Sequence, residues 1–188
     1  MMGEAQLRIM QMSTASSNPT DDMYIIIVCP GNEIPTWFSY QNEGSSINIT
    51  LPPNWFRTDL LGLALSLVVE FNNYNVKRAG FACTANFKSS NGEGHEISCH
   101  LHRLYKGISS SGRNNLNSDY VFAWYTASML VAAARYSSGT GFDNVTEASV
   151  DFFLMDLNGF PLKDYKVQVK KCGLWLLYAE DAENLMSC

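Results

Sequence analysis

Between residues 24 and 178 the sequence is a succession of short period-two segments, each cut off by Gly, Pro, Asn or Ser. Side chains two apart on a strand share a face, and turn residues at roughly 8–12-residue spacing join such strands into sandwiches or barrels. Ile47, Ile49 and Leu51 alternate with Ser46, Asn48 and Thr50 before Pro52-Pro53 stops the strand. Leu61, Leu63, Leu65, Leu67 and Val69 point one way, and mostly small or apolar residues point the other. That strand is therefore covered on both faces and belongs at the centre of a sheet.

Further strands are predicted over residues 24–29, 80–88, 96–103, 120–126, 145–155 and 165–178, with Gly173 marking a bulge in the last. Asn158-Gly159 reads as a type I′ hairpin turn. Helical signals are poor, and only residues 128–135 (SMLVAAAR) look helical. Eight or nine strands without alternating helices imply an all-β chain, an antiparallel β-sandwich or jelly roll with at most short helical turns. Residues 24–180 make one domain, which suits a 188-residue chain. Residues 1–23 are polar toward SNPTDD and carry one turn's worth of helical periodicity in Leu7, Ile9 and Met10, so they read as a flexible tether. Residues 181–188 read as a C-terminal tail.

Thirteen Lys and Arg against eighteen Asp and Glu leave a net charge of -5, no surplus for displacing counterions from nucleic acid. The longest apolar stretch, residues 60–69, falls short of the roughly 20 needed to span a bilayer. The opening MMGEAQLRIMQM lacks a basic region followed by an apolar one, so it is no secretory signal. Five cysteines, odd in number and without CxxC spacing, read as reduced thiols of a cytoplasmic or nuclear protein. Neither nucleic acid nor membrane is expected as a partner.

His100-x-His102, near His95, Cys83 and Cys99, is the arrangement closest to a metal site, since residues two apart on a strand stand about 6.6 Å apart on one face. A metal-dependent, cupin-like enzyme would need that pair to converge. The paired CxxC or CxxxH spacing of structural zinc is missing, and an outward polar pair beside core-facing Ile97, Cys99 and Leu101 is the simpler account. Asp156-x-Asn158-Gly159 lacks the later ligands of a calcium loop. Asp151 and Asp156 fall on opposite faces of one strand, which separates them as a carboxylate pair. No GxSxG elbow or phosphate-cradling glycine motif occurs, so no catalytic residue, cofactor or enzymatic activity is expected.

Two interaction readings remain. Trp37, Trp55, Trp124 and Tyr125 could form the aromatic platform of a carbohydrate-binding jelly roll, which requires at least two coplanar, solvent-facing rings. Alternatively, loops at one end of the sandwich recognise a protein. The mobile-looking loop over residues 107–117 is then the candidate, with Ser109, Ser110, Arg113 and Asn114 at its surface and Arg113 as anchor.

Residues 29–71 read CPGNEIPTWFSYQNEGSSINITLPPNWFRTDLLGLALSLVVEF. This stretch resembles the opening of the C-terminal jelly-roll and immunoglobulin-like domain, the post-repeat C-JID domain, of plant TIR-type nucleotide-binding leucine-rich-repeat immune receptors. The matching blocks are Pro30, Gly31, Glu33, Ile34, Pro35, Trp37 and Phe38; Gly44, Ser45 and Ser46; Leu51, Pro52, Pro53 and Trp55; and Leu61, Gly62 and Ala64. Val169, Lys170, Lys171, Cys172 and Gly173 match the closing strand, and Ser118-Asp119 before an aromatic run also fits. The resemblance spans residues 24 to 180. It implies a non-enzymatic recognition domain that follows leucine-rich repeats and contributes to binding a pathogen effector protein. It also implies a cytoplasmic or nuclear location and contact with the repeats of the parent receptor. No TIR domain, P-loop or repeat array is present, so the expectation is a receptor fragment or a truncated product beginning at Met1.

Overall fold

A computed structural model describes residues 2–15, 26–75, 80–101, 115–127, 142, 144–156 and 158–186. The strands in chain order are β1 (Ile26–Pro30), β2 (Tyr40–Glu43), β3 (Ser46–Thr50), β4 (Leu60–Phe71), β5 (Tyr74–Asn75), β6 (Gly80–Ser89), β7 (Gly94–Leu101), β8 (Asn115–Leu116), β9 (Asp119–Thr126), β10 (Val145–Met155) and β11 (Val167–Tyr178). Two helices flank them, α1 (Met2–Ala15) and α2 (Ala179–Met186). One sheet runs β1-β9-β4-β11-β2, the other runs β3-β10-β6-β7, and β5 pairs with β8. Every pairing among these strands is antiparallel. The all-β antiparallel sandwich expected from the alternation is thus present, with nine strands in its two main sheets.

The doubly apolar β4 lies at the middle of the five-stranded sheet, as its composition requires. Its Leu63, Leu65, Leu67 and Val69 turn inward to meet Phe81, Phe122, Trp124, Phe152 and Leu174 in the main core. Fully burying an aliphatic side chain of this kind contributes about 1.5–3 kcal/mol. Ala64 and Val68 of β4 face outward, yet they too are buried. They join Val121, Ala123, Tyr125, Trp175 and Leu177 in a second cluster, which Ile9 and Met10 of α1 and Ile34 and Phe38 complete.

Within residues 1–23, read from sequence as a flexible tether, the described stretch 2–15 is instead packed. Residues 2–15 are a 14-residue helix that packs on β4, β9 and α2, with Ile9 and Met10 essentially inaccessible. Its buried stripe is Ala5, Ile9, Met10 and Ser13, and two of those four residues are too small or polar to register as an apolar period. Leu7, counted toward the period from sequence, is instead exposed. Most of the predicted tail likewise belongs to α2, where the Tyr178 N–H donates to the Asp181 carboxylate at 2.9 Å in the manner of an N-terminal cap.

Gly173 is not a bulge. The register of β11 against β4 shifts between Val169 and Lys171 and again at Tyr178, and Gly173 stays paired with Ser66. The expected helix over 128–135 and the first two residues of the strand over 24–29 lie outside the described residues. No helix among the described residues is long and apolar enough to cross a membrane.

Candidate functional site

The residues that carry the family resemblance are taken up in packing. Glu33 to Phe38 crosses the outer face of the five-stranded sheet, burying Ile34 and Phe38 in the second cluster. Gly173 makes this possible: a Cβ added there would come within 2.7 Å of Ile34 Cγ2 and 3.4 Å of Phe38 Cβ and Cγ. Lys171, two residues earlier on β11, donates to Glu33 at 2.7 Å and lies 3.6 Å from Glu43. These carboxylates, Glu33 first, raise the Lys171 pKa, but the glutamates are largely exposed and the pairs contribute little stability. Trp37 stacks on Phe38 at 4.2 Å and meets Trp175 edge-on at 5.4 Å. It is half-buried, and its indole N–H finds no acceptor among the described residues.

The other blocks make corners. At Gly44, Ser45 and Ser46 the chain passes from β2 of one sheet to β3 of the other. Gly44 supplies a φ of 83°, and its N–H donates to the Lys170 carbonyl at 2.6 Å, where β11 bulges. After Leu51, Pro52 and Pro53 a turn closes with the Trp55 N–H on the Pro52 carbonyl at 3.1 Å. Trp55 then plugs that end of the sandwich. It stacks on Phe87 at 5.6 Å with the rings 5° from parallel, and its indole donates to the Val145 carbonyl at 3.1 Å. Gly62 leaves room for the Tyr125 ring, whose hydroxyl donates to the Leu61 carbonyl at 2.6 Å; burial pushes that phenol up to about 12. Cys172 is buried with its thiol pushed up to about 11, chiefly by burial.

The chemical candidates do not assemble. His102 and the side chains of Cys99 and His100 lie outside the described residues. The His95 ring stacks on Phe142 at 5.2 Å, and no group of three His, Cys, Asp or Glu among the described residues could hold a metal. The aromatic platform is absent too: Trp55 and Trp124 are each 2% exposed and Tyr125 is 7% exposed. An open cavity of about 720 Å³ lies on the four-stranded sheet, among Asn48, Thr50, Asn86, Lys88, Glu147 and Ser149. It offers hydrogen-bonding groups and one loose ion pair, Lys88 to Glu147 at 3.8 Å, with no Trp or Tyr against which a sugar could stack.

The predicted partner loop falls outside the described residues, Ser109, Ser110, Arg113 and Asn114 included. The strands around it show where it is rooted. β7 ends at Leu101 opposite Phe81, and β9 begins at Asp119 opposite Glu70 at the end of β4. β10 ends at Met155 opposite Gly80, and β11 begins at Val167 opposite Phe71. The connections 72–79, 102–118 and 156–166 therefore all leave and return at one pole, away from Trp55.

At that pole sequence reasoning overlooked two residues. Phe160 and Tyr165 are 67% and 89% exposed, and both sit on the 156–166 connection. Its described residues are held by hydrogen bonds to the Asp156 carboxylate and to backbone carbonyls. Asp156 Oδ1 accepts the N–H groups of Asn158 at 2.8 Å and Phe160 at 2.9 Å, and Gly159 N–H donates to the Asp156 carbonyl at 3.1 Å. These bonds, the one from Phe160 foremost, hold the Asp156 carboxyl below its ordinary range. Only Gly159 of the central residues has a positive φ, 83°, so the expected type I′ turn, which needs two, is replaced by an Asp-anchored loop. Leu162 N–H donates to the Leu154 carbonyl and Asn72 N–H to the Lys166 carbonyl, both at 2.7 Å. The two aromatic residues could have been flagged by their position between an Asx turn and a strand, out of phase with the strand's apolar face.

Comparison with known proteins identifies the same family. The family model described as the C-JID domain matches residues 29–183. Disease resistance-like protein DSC1 of Arabidopsis thaliana is 30% identical over 99% of this chain and 16% of its own length. Disease resistance protein RPP2B of the same plant is 32% identical over 85% of this chain and 14% of its own length. Disease resistance protein RPS4, also from that plant, is 30% identical over 82% of this chain and 12% of its own length. The chain thus spans between 12% and 16% of the length of these relatives.

Proposed function

The chain belongs to the C-JID domain family, and from that premise we propose that it is a non-enzymatic recognition domain of a plant intracellular immune receptor of the TIR nucleotide-binding leucine-rich-repeat type. It contributes to binding a pathogen effector protein, beside the leucine-rich repeats of its parent receptor, in the cytoplasm or nucleus. The observation that carries this reading is the 29–183 match, in which the signature residues serve as scaffold. Ile34 and Phe38 seat on Gly173, Gly44 turns a corner between sheets, and Trp55 closes one end. Those residues are consumed by the fold, which leaves recognition to connections that can vary without unfolding the sandwich.

The experiment is binding of the purified chain to an array of purified effector proteins from plant pathogens, with a glycan array in parallel. Saturable binding to one or a few effectors supports the reading. Binding to glycans and to no effector overturns it in favour of a carbohydrate-binding sandwich.

A further inference from the structure

The 156–166 connection that carries Phe160 and Tyr165 also carries two cations, Lys163 and Lys166, and two carboxylates, Asp156 and Asp164. Both carboxylates of the 156–166 loop accept backbone N–H groups of that same loop: Asp156 from Asn158 and Phe160, and Asp164 from Lys166 at 2.9 Å. Lys163 is exposed, and Lys166 stands 6.0 Å from the centre of the Tyr165 ring; neither makes an ion pair among the described residues. The acidic groups are turned into the loop while the ammonium groups remain available to a partner.

Resting on the recognition reading above, we propose that the 156–166 loop is a docking surface for a protein partner that presents an apolar pocket bordered by carboxylates. Phe160 and Tyr165 are the inserted anchors, and Lys163 and Lys166 pair with the acidic border. Two features favour such a partner. Large exposed aromatic side chains supply most binding energy when they enter a pocket and are desolvated there. A loop already fixed by the Asp156 bonds and the Leu162 contact loses little conformational freedom on binding. Complementary charge at the border steers the encounter and weakens with added salt.

The test pans a displayed library of random peptides against the full chain, with single-stranded oligothymidine as a second probe. Enriched peptides are expected to combine Asp or Glu with bulky apolar residues. Phe160→Ser/Tyr165→Ser should weaken their binding by roughly tenfold or more, with the melting temperature unchanged. Lys163→Glu/Lys166→Glu should also weaken it and flatten its salt dependence, and this variant keeps the test decisive if the first folds poorly. Peptides without acidic bias, or peptides that bind both variants as tightly as wild type, overturn the proposal. Tighter binding to oligothymidine than to any peptide overturns it as well, since the pole would then be a nucleic-acid surface. If an effector binds wild type and both variants equally, this docking surface is wrong and the recognition reading stands. If acidic peptides bind as expected while no effector does, the surface stands and the recognition reading fails.

Discussion

Replacing Gly173 by alanine tests whether the two separated halves of the family signature are one packing unit. The new Cβ would sit 2.7 Å from Ile34 Cγ2, whereas carbon atoms in good contact stand about 3.5–4.0 Å apart. Ile34 and Phe38 are 4% and 2% exposed, so neither can swing into solvent to make room. Forcing a methyl group into such a site costs about 1–3 kcal/mol. Alanine's lower entropy in the unfolded chain offsets about 0.4–1 kcal/mol of that. The net loss is about 1–2 kcal/mol, or about 2–8 °C in melting temperature for a chain of this size. Ile34→Ala removes the clashing Cγ2 and by itself costs about 2–5 kcal/mol. In urea denaturation the double variant should therefore be less destabilised than the sum of the singles, by about 0.5–3 kcal/mol. Ile34→Val, which keeps Cγ2, should give no such relief. Strict additivity with Ile34→Ala, or a Gly173→Ala variant as stable as wild type, would refute the reasoning.

Ile9→Ser should destabilise the whole chain by about 2–5 kcal/mol, because Ile9 covers the outer face of the five-stranded sheet; an unchanged urea midpoint would mean that α1 is a free tether after all. Trp55→Phe keeps the ring stack on Phe87 but strands the Val145 carbonyl, at about 1–3 kcal/mol; a neutral result would show that the indole bond is dispensable. Asp156 has a folded-state pKa below its ordinary value, so its support of the loop is complete above that ordinary value and fades as pH falls through the lowered one. The Phe160 amide resonance should accordingly move on acidification below about pH 4 and move likewise in Asp156→Ala at neutral pH, and a resonance indifferent to both would contradict the Asp-anchored loop. Cys172, buried and pushed up to about 11, should resist iodoacetamide at neutral pH until the chain is unfolded, and rapid native-state alkylation would contradict its burial.

The sandwich was legible because strand alternation is a local signal. Ile47, Ile49 and Leu51 announce one buried face, and the doubly apolar stretch from Leu61 announces a strand buried on both. The signature residues were legible as fold-making, but the partnership of Ile34 with Gly173 was not. It joins positions far apart in the chain, and the glycine's reason is a close approach that nothing local reveals. α1 escaped because Ala5 and Ser13 dilute its apolar stripe; the face it covers becomes visible only when β4 and β9 are side by side. Trp37, read from sequence only as a signature residue and a candidate for the aromatic platform, is half-buried, because its ring lies over Phe38 and Trp175 at the rim of the cluster. Phe160 and Tyr165 read as ordinary apolar residues in sequence. Only the Asp156 and Leu162 bonds show that they are held outward.

The most direct test of the account is the affinity of one cognate effector for wild type, for Phe160→Ser/Tyr165→Ser and for Trp55→Phe, each checked for folding by near-ultraviolet circular dichroism. The account expects effector binding by the wild type, its loss or a weakening of roughly tenfold or more in the loop variant, and its retention in the folded Trp55 variant. A folded loop variant that binds like wild type, while the folded Trp55→Phe variant does not, would contradict the division of labour between scaffold and pole.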